Sequence, residues 1–271
     1  MKLIHLLAAA LLISGNSQAQ DSGTNLVQKP LNIGDQSHRS EQQRQRDQFR
    51  HPAETLAFFE IKPSDTVVEI WPGGGWYSQI LAPLLKDNGQ LIAAHWPTDS
   101  KVGYFRRLRS EFESNFLSKP EQYGNIQITH LEPPKHLKMA EDSSADKVLT
   151  FRNVHNWMRN QQEQAVFNAA FKALKSGGIL GVVEHRAPDS FSYDKMVQSG
   201  YVSEAYVKEL AKKAGFELLA SSEVNANAKD TKNHPKGVWT LPPSLRLGDV
   251  DKEKYLAIGE SDRMTLKFIK P

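Results

Sequence analysis

Short apolar runs alternate with amphipathic stretches along most of this chain. The apolar runs are rich in β-branched residues and predict seven strands, at 67–70, 91–94, 126–129, 146–151, 179–183, 217–222 and 265–270. The amphipathic stretches predict helices at 76–85, 102–117, 160–174 and 203–214, and Pro52 favours another helix start. Strands that alternate with helices in this way predict an α/β fold, a mostly parallel sheet with helices on both faces.

The first 48 residues do not share this pattern. Lys2 precedes an apolar core at 3–13, and Ser17-Gln18-Ala19 supplies the small residues of a cleavage site. These features predict a signal peptide over residues 1–19 and export, most simply to a bacterial periplasm. Residues 20–48 are polar and predict a loose arm whose arginines form a solvated face. One domain is expected over 49–271, with a long insertion at 225–259.

Composition limits the possible partners. The 271 residues are 24% charged and 39% hydrophobic, which suits one globular α/β domain. The absence of cysteine excludes disulfides and a thiol nucleophile. The net charge of +3 is too small to indicate a nucleic-acid partner, or a membrane partner after signal cleavage. The partner we expect is a small-molecule substrate. The oligomeric state does not follow from the sequence.

The turn after the first strand is the main candidate for ligand binding. Its sequence, Trp71-Pro72-Gly73-Gly74-Gly75, lies between a predicted strand and a predicted helix. Glycines at such a junction leave backbone N–H groups uncovered beside a helix N-terminus. They predict a cradle for a nucleotide-like or carboxylate-bearing ligand. Pro72 favours an extended Trp71, so the turn is expected to begin at Gly73.

This stretch resembles the class I S-adenosylmethionine-dependent methyltransferases. Glu69, Gly73 and Gly75 match the acidic residue and the spaced glycines of that family, whereas Trp71 stands at its first glycine. The strings F-R-N-V-H-N-W at 151–157 and L-K-S-G-G-I-L-G-V-V-E-H at 174–185 are also family-like. The resemblance, to an exported bacterial branch, implies a Rossmann-like, doubly wound, seven-stranded sheet. The implied strand order is 3-2-1-4-5-7-6, with the seventh strand antiparallel.

The resemblance also implies a cofactor, S-adenosylmethionine, and the residues that hold it. His95 takes the position of the family's ribose-binding carboxylate, and Glu132 lies where an acid often contacts adenine. The implied cofactor-binding residues are Glu69, Trp71, Gly73, Gly74, Gly75, Tyr77, His95 and Glu132.

Histidines at the strand ends are the candidate catalytic groups. Methyl transfer needs alignment, plus a base if the nucleophile carries a proton. Histidine titrates in the range that suits such a base. His155, at the exit of the fourth strand, is the first choice. His185, with Glu184 beside it, is the second.

Three functions fit these patterns. The first is a methyltransferase that acts on a small molecule or an exported protein. The second keeps the fold and binds a ligand without methyl transfer, because Trp71 and His95 replace expected contacts. The third is a metal site of His95, His155 and His185. The insertion at 225–259 is either a surface loop or a substrate-binding element, with Asp230, His234 and Trp239 as its candidate residues.

Overall fold

The computed structural model describes residues 29–271 and is built around one eight-stranded sheet. The predicted signal peptide and the first part of the predicted arm, up to residue 28, lie outside the described residues. The strands are β1 (Thr66–Ile70), β2 (Gln90–His95), β3 (Gln127–His130), β4 (Ala145–Phe151), β5 (Leu174–Ala187), β6 (Val202–Ser203), β7 (Glu217–Ser222) and β8 (Arg263–Ile269).

The strand order is β3-β2-β1-β4-β5-β8-β7, with the two-residue β6 beside β5. Strands β1 to β5 pair in parallel, and β8 runs antiparallel to both β5 and β7. The prediction of a Rossmann-like, doubly wound sheet is therefore confirmed, with β6 as an additional short strand. The order reverses between β1 and β4, where such sheets open a crevice at the carboxyl ends of their strands.

Helices cover both faces because the apolar residues of each central strand alternate between two cores. In β1, Val68 and Ile70 belong to one apolar cluster and Val67 to the other. The helices are α1 (Glu41–Arg44), α2 (Asp47–Arg50), α3 (Pro52–Phe58), α4 (Ser78–Leu85), α5 (Gly103–Phe116), α6 (Pro120–Tyr123), α7 (Val154–Met158), α8 (Glu163–Ala173), α9 (Tyr193–Ser199), α10 (Glu204–Ala214) and α11 (Lys252–Ile258). None of these helices is long and apolar enough to cross a membrane.

The region after β4 differs from its prediction. The expected helix at 160–174 is α8, and the additional short helix α7 precedes it across a polar turn in which Gln161 has a φ of +53°. The chain leaves the helix at Ala173, since Leu174 is extended and pairs with Ala145. Helix α8 therefore ends before the glycines at 177–178, which lie within β5.

The described part of the arm is packed against the domain, so the prediction of a solvated arginine face is wrong. Arg39 is 1% exposed and donates two hydrogen bonds to the Asp47 carboxylate, of 2.9 and 2.7 Å. Its guanidinium also lies over the Trp76 ring, at 4.7 Å. Trp76 in turn donates from its indole N–H to the carbonyl of Gln43. A bidentate carboxylate partner and an aromatic face make this burial tolerable.

Candidate functional site

A cavity of about 1110 Å³ opens at the reversal point of the sheet. Its floor is formed by the carboxyl ends of β1, β4 and β5 and by the start of β8, which reaches the same edge because it is antiparallel. Residues of the arm, the first turns of α5 and the insertion at 225–259 form its walls. The cavity therefore lies where doubly wound sheets bind their ligands.

Two of the three glycines in the turn face this cavity. A Cβ atom added at Gly73 or Gly74 would meet nothing within 4 Å, so both leave open space against the backbone. Gly75 is different, because its φ is +81° and an added Cβ would lie 2.4 Å from the Phe116 ring. Gly75 does not line the cavity. The expectation that Gly75 contacts the ligand is therefore wrong, since its role is close packing against α5.

Trp71 has the backbone conformation of a glycine. Its φ is +47°, so the expected extended geometry before Pro72 is not found. Its backbone N–H donates to the carbonyl of Ala94 at 2.9 Å, and its indole N–H donates to that of Leu131 at 2.8 Å. The ring packs 5.0 Å from Trp96 and 5.6 Å from Phe105, measured between centroids. These contacts hold the strained backbone and make Trp71 an aromatic wall of the cavity.

His95 does not face the cavity, which overturns the expectation that it binds the ribose. Its Nδ1 accepts from the backbone N–H of Trp96 at 2.9 Å, so Nε2 carries the proton and donates to the carbonyl of Gly73 at 3.1 Å. Burial lowers the pKa of His95 to about 4, which keeps the imidazole neutral. Both ring nitrogens therefore stabilise the glycine turn.

Glu69 and Tyr77 both line the cavity from buried positions. Glu69 accepts a 2.6 Å hydrogen bond from the Ser78 hydroxyl. Burial raises the pKa of Glu69 to about 7, although the bond from Ser78 opposes the shift. The Tyr77 ring stacks on Phe151 at 3.6 Å, and its hydroxyl donates to the carbonyl of Arg50. The Tyr77 ring thus lines the cavity, and its hydroxyl holds the backbone just before α3.

Glu132 lies at the aromatic side of the cavity, as expected for an acid after the third strand. Its carboxylate accepts a 2.6 Å hydrogen bond from the Ser100 hydroxyl. Trp96 and Phe105 stack nearly parallel on this side, with 4.3 Å between centroids. Glu132 retains carboxylate lone pairs that can accept further hydrogen bonds from a ligand.

The two candidate catalytic histidines line the opposite side of the cavity. The Nδ1 atom of His155 lies 3.0 Å from a carboxylate oxygen of Glu184, which is itself fully buried. The backbone N–H groups of His155 and His185 also donate to this carboxylate, so Glu184 is held in place. Nδ1 of His155 donates to Glu184, which leaves Nε2 as the proton acceptor. This is the arrangement of an oriented general base.

His185 is less suited to that role. Its Nδ1 is hydrogen-bonded to the Ser261 hydroxyl. Burial, reinforced by the charge of nearby His155, lowers the pKa of His185 well below its ordinary value. The ring therefore stays neutral and is a poor proton acceptor.

The expected metal trio is not assembled in the described part of the chain, because both nitrogens of His95 are bonded to backbone groups. A different set comes together instead. One potential ligand atom from each of His155, Glu184 and His185 lies within 4.8 Å of the others. In this structure His155 and Glu184 form the histidine–carboxylate pair of the candidate base, and His185 is hydrogen-bonded to Ser261.

Sequence reasoning missed the arginines that line the cavity. Arg50 lies just before the predicted helix start at Pro52, and Arg152 lies within the family-like string at 151–157. Both line the cavity, together with Arg46 and Arg263. Arg152 directly follows β4, and Arg263 begins β8. Their positions at strand ends were a usable signal, because strand ends in such sheets meet at the ligand site.

The insertion at 225–259 contributes to the cavity through Trp239. The Trp239 ring lies 5.9 Å from the His155 ring, and Arg159 and Arg246 each stack on it. Asp230 and His234 do not line the cavity. Asp230 accepts hydrogen bonds from His234 and from the Tyr201 hydroxyl, so these two candidates hold the insertion together.

Comparisons of the sequence give no relatives: no family model and no curated protein matches it. The fold, in contrast, is widely shared. A methyltransferase from Aquifex aeolicus, described as dependent on S-adenosylmethionine, superimposes with a TM-score of 0.55 at 14% identity, covering 83% of this chain and 93% of that one. The [4+2]-cyclase SpnF gives 0.56 at 16% identity, covering 91% and 87%. The mitomycin 7-O-methyltransferase MmcR gives 0.50 at 13% identity, covering 82% and 54%.

Identities of 13–16% show the fold alone. SpnF is named for a cyclisation, so the same fold also serves a protein named for another reaction. What the chain shares with these structures is the Rossmann-like fold of the S-adenosylmethionine-dependent methyltransferases.

Proposed function

We propose that this chain is an S-adenosylmethionine-dependent methyltransferase that acts on a small molecule. The observation that carries the proposal is the open backbone at Gly73 and Gly74, at the reversal point of a methyltransferase-like sheet and on the same cavity as the oriented His155. His155 is only 5% exposed. A base this enclosed favours a small acceptor over a folded protein.

The residues present fit the proposed cofactor at several points. Gly73 and Gly74 offer free space for close approach of a ligand to the backbone, and Glu132 offers acceptor oxygens. Trp71 and Trp96 supply an aromatic surface on the same side of the cavity. The carboxylate expected after the second strand is missing, because His95 is committed to the turn. Glu132 is also a carboxylate, so it offers the same type of hydrogen-bond acceptor as the missing group.

The chain's own residues would then handle the proton of the acceptor. When bound, S-adenosylmethionine supplies an electrophilic methyl group on a positively charged sulfur, which departs as a neutral thioether. His155 would accept at its Nε2 the proton that the acceptor's oxygen, nitrogen or sulfur loses when it is methylated. Glu184 stabilises the imidazolium that forms. The aromatic walls exclude water from this step.

A second function is favoured by Trp71. Its ring occupies the turn where the resembling family has a glycine, next to Trp96 and Phe105. A filled turn of this kind suits a protein that binds a different ligand on the same fold and transfers no methyl group.

Calorimetric titration of the mature protein with S-adenosylmethionine tests the first function against the second. We expect binding to the unaltered protein and a loss of about tenfold or more in Gly74→Val, whose added side chain enters the open space. Gly103→Val is the matched control, because Gly103 does not line the cavity and a Cβ added there would have only the end of the Arg106 side chain within 4 Å, at 3.7 Å. If neither S-adenosylmethionine nor its demethylated product binds the unaltered protein, the second function replaces the first.

The proposed place of action is outside the cytoplasm. Lys2, the apolar core at 3–13 and Ser17-Gln18-Ala19 support it, since together they have the form of a cleaved export signal.

A further inference from the structure

Four arginines meet at the histidine side of the cavity around a single carboxylate. Arg46, Arg50 and Arg263 each form an ion pair with Glu260, with distances of 2.6 Å from Arg46 and 3.1 Å from Arg50. Arg152 lines the same cavity as these three arginines. These four residues, Arg46, Arg50, Arg152 and Arg263, are called the arginine pocket below. Among residues 29–271, Glu260 is the only carboxylate paired with any of them.

Arg50 is the most enclosed member and is not satisfied by the protein. Its side chain is 2% exposed. Its Nε donates to Glu260, but Nη1 and Nη2 have no hydrogen-bond partner in the part of the chain that the structure describes. The guanidinium lies over the Trp76 ring at 4.5 Å, which covers one face and leaves the two terminal nitrogens unpaired. Burying the N–H groups of a charged side chain without hydrogen-bond acceptors costs free energy.

Arg152 is held at the cavity by its backbone alone. Its backbone N–H donates to the carbonyl of Val183 at 2.7 Å, with φ at +62°. Its side chain forms no hydrogen bond or ion pair within residues 29–271. Burial, followed by the charge of Arg263, lowers the pKa of Arg152 to about 10. The guanidinium therefore stays charged near neutral pH while its surroundings oppose that charge.

One carboxylate cannot neutralise four guanidinium groups. Burial would raise the pKa of Glu260, but the charges of Arg263, Arg50 and Arg46 hold that pKa below its ordinary value. Glu260 is thus ionised and already shared among three partners. A cluster with this much uncompensated positive charge destabilises the empty protein. A second anion would remove the repulsion and complete the hydrogen bonds of Arg50.

We infer that the arginine pocket binds the oxyanion, a carboxylate or a phosphate, of a small-molecule methyl acceptor. Guanidinium forks match both groups in bidentate geometry. This inference deepens the proposed function and rests on it, because it names the class of molecule that is methylated.

The position of the pocket assigns the anion to the acceptor. Arg263 is the residue that pairs with His185 between β8 and β5, and the His185 ring lies 5.3 Å from that of the candidate base His155. Arg50 and Arg152 line the same cavity. An anionic group held there leaves the rest of the molecule beside His155. The cavity of about 1110 Å³ exceeds the roughly 300–1000 Å³ typical of single-ligand pockets, so it has room for a donor and an acceptor together.

Direct anion binding tests the inference without an assay of methyl transfer. The full mature chain is titrated with inorganic phosphate and, separately, with succinate in a low-chloride buffer. We expect at least one to bind, and Arg152→Gln to weaken it about tenfold or more. The variant loses no side-chain bond seen in the structure, so it should fold. We also expect it to melt at a higher temperature than the unaltered protein in the absence of anions, since it removes repulsion.

Arg107→Gln is the matched control, because Arg107 carries the same charge on an exposed face of α5, forms an ion pair with Glu111 and does not line the cavity. Equal losses of binding in both variants would show an adventitious ion only and would overturn the inference. The relative affinities for phosphate and succinate distinguish a phosphorylated from a carboxylated acceptor.

The donor's own carboxylate is the competing source of the anion. Phosphate or succinate should bind in the presence of saturating S-adenosylmethionine, and Arg152→Gln should leave donor affinity unchanged. If the variant weakens S-adenosylmethionine but not its decarboxylated analogue, the arginines hold the donor and the inference is wrong. If anions bind as expected but S-adenosylmethionine never does, the anion site stands and the proposed function fails.

Discussion

Trp71 combines a backbone conformation suited to glycine with the largest of the side chains. A non-glycine residue in this region costs on the order of 1–3 kcal/mol. Two backbone-directed hydrogen bonds and packing against Trp96 and Phe105 offset that cost. The sequence showed that Trp71 departs from a glycine pattern. It did not show the left-handed backbone, because the stabilising partners come from β2, the segment after β3 and α5.

Glu69 should make the stability of the protein depend on pH in an unusual direction. Burial raises the pKa of Glu69 to about 7 in the folded protein, from the 4.5 of an unperturbed glutamate, which applies to the unfolded protein. The folded state therefore holds a proton that the unfolded state releases, so stability is lost as the pH rises from about 4.5 through about 7. We measure the free energy of unfolding in urea for Glu69→Gln and for the unaltered protein. Between about pH 4 and about pH 8, the difference should change by about 3 kcal/mol in favour of Glu69→Gln.

Glu60→Gln is the control for this measurement. The hydrogen bond from Lys267 lowers the pKa of Glu60, so this variant should change with pH in the opposite sense. A difference between Glu69→Gln and the unaltered protein that stays constant with pH would contradict the raised pKa.

A substitution at His155 should lower turnover without weakening cofactor binding. His155→Gln keeps an amide donor for Glu184 but offers no proton acceptor of suitable basicity. We expect turnover to fall roughly a hundredfold or more, with affinity for S-adenosylmethionine retained. A screen of phenols, thiols and amines that carry a carboxylate or phosphate supplies the acceptor. Equal turnover in the variant would move the base to His185 or remove the need for one.

At the scale of elements, the conformation of the described arm depends on the ion pair between Arg39 and Asp47. Asp47→Asn leaves the buried Arg39 without its charged partner, and Asp47 itself is 31% exposed, so water softens the loss. We expect a cost of about 2 kcal/mol, together with faster tryptic cleavage at Arg44 and Arg46. Glu41→Gln is the control, because its pair with Arg44 is exposed and should contribute little. Unchanged cleavage in Asp47→Asn would show that other contacts hold the arm.

The strands were predictable because their signal is local. Each predicted strand overlaps an observed one, since β-branched runs and their flanking turns lie within a few residues of each other. The short helix α7 was missed, because the turn that separates it from α8 depends on a left-handed backbone at Gln161, which polar residues in general can adopt. The packed arm was missed for a different reason. Arg39 is buried only because Asp47 and Trp76 meet it in three dimensions.

At the scale of the whole molecule, some site residues were also predictable from the sequence and others depended on contacts distant in the chain. Gly73, Gly74, His155 and His185 were placed at the cavity by topology alone, because strand ends converge at one edge. Gly75 and His95 were misassigned, since Phe116 and the Trp96 amide that engage them could not be inferred from spacing. The arginine pocket depends on Arg263, which only the antiparallel direction of β8 brings to this edge.

Export is the remaining prediction for the whole chain. Protein purified from its native host should have an intact mass that begins at Gln20, because cleavage is expected after Ala19. Full-length protein recovered from the soluble cytoplasm would contradict the prediction. The donor is made in the cytoplasm, so an exported enzyme also needs a supply of it at its place of action.

The aromatic walls of the cavity have a practical consequence. The chain contains five tryptophans. Four of them line the cavity, at positions 71, 76, 96 and 239, and the fifth, Trp157, lies 5.9 Å from Trp71. The intrinsic ultraviolet emission of the folded protein therefore arises almost entirely from one cavity and its immediate surroundings. Any occupant that displaces water from these rings alters their emission, so the unlabelled protein reports on its own ligands.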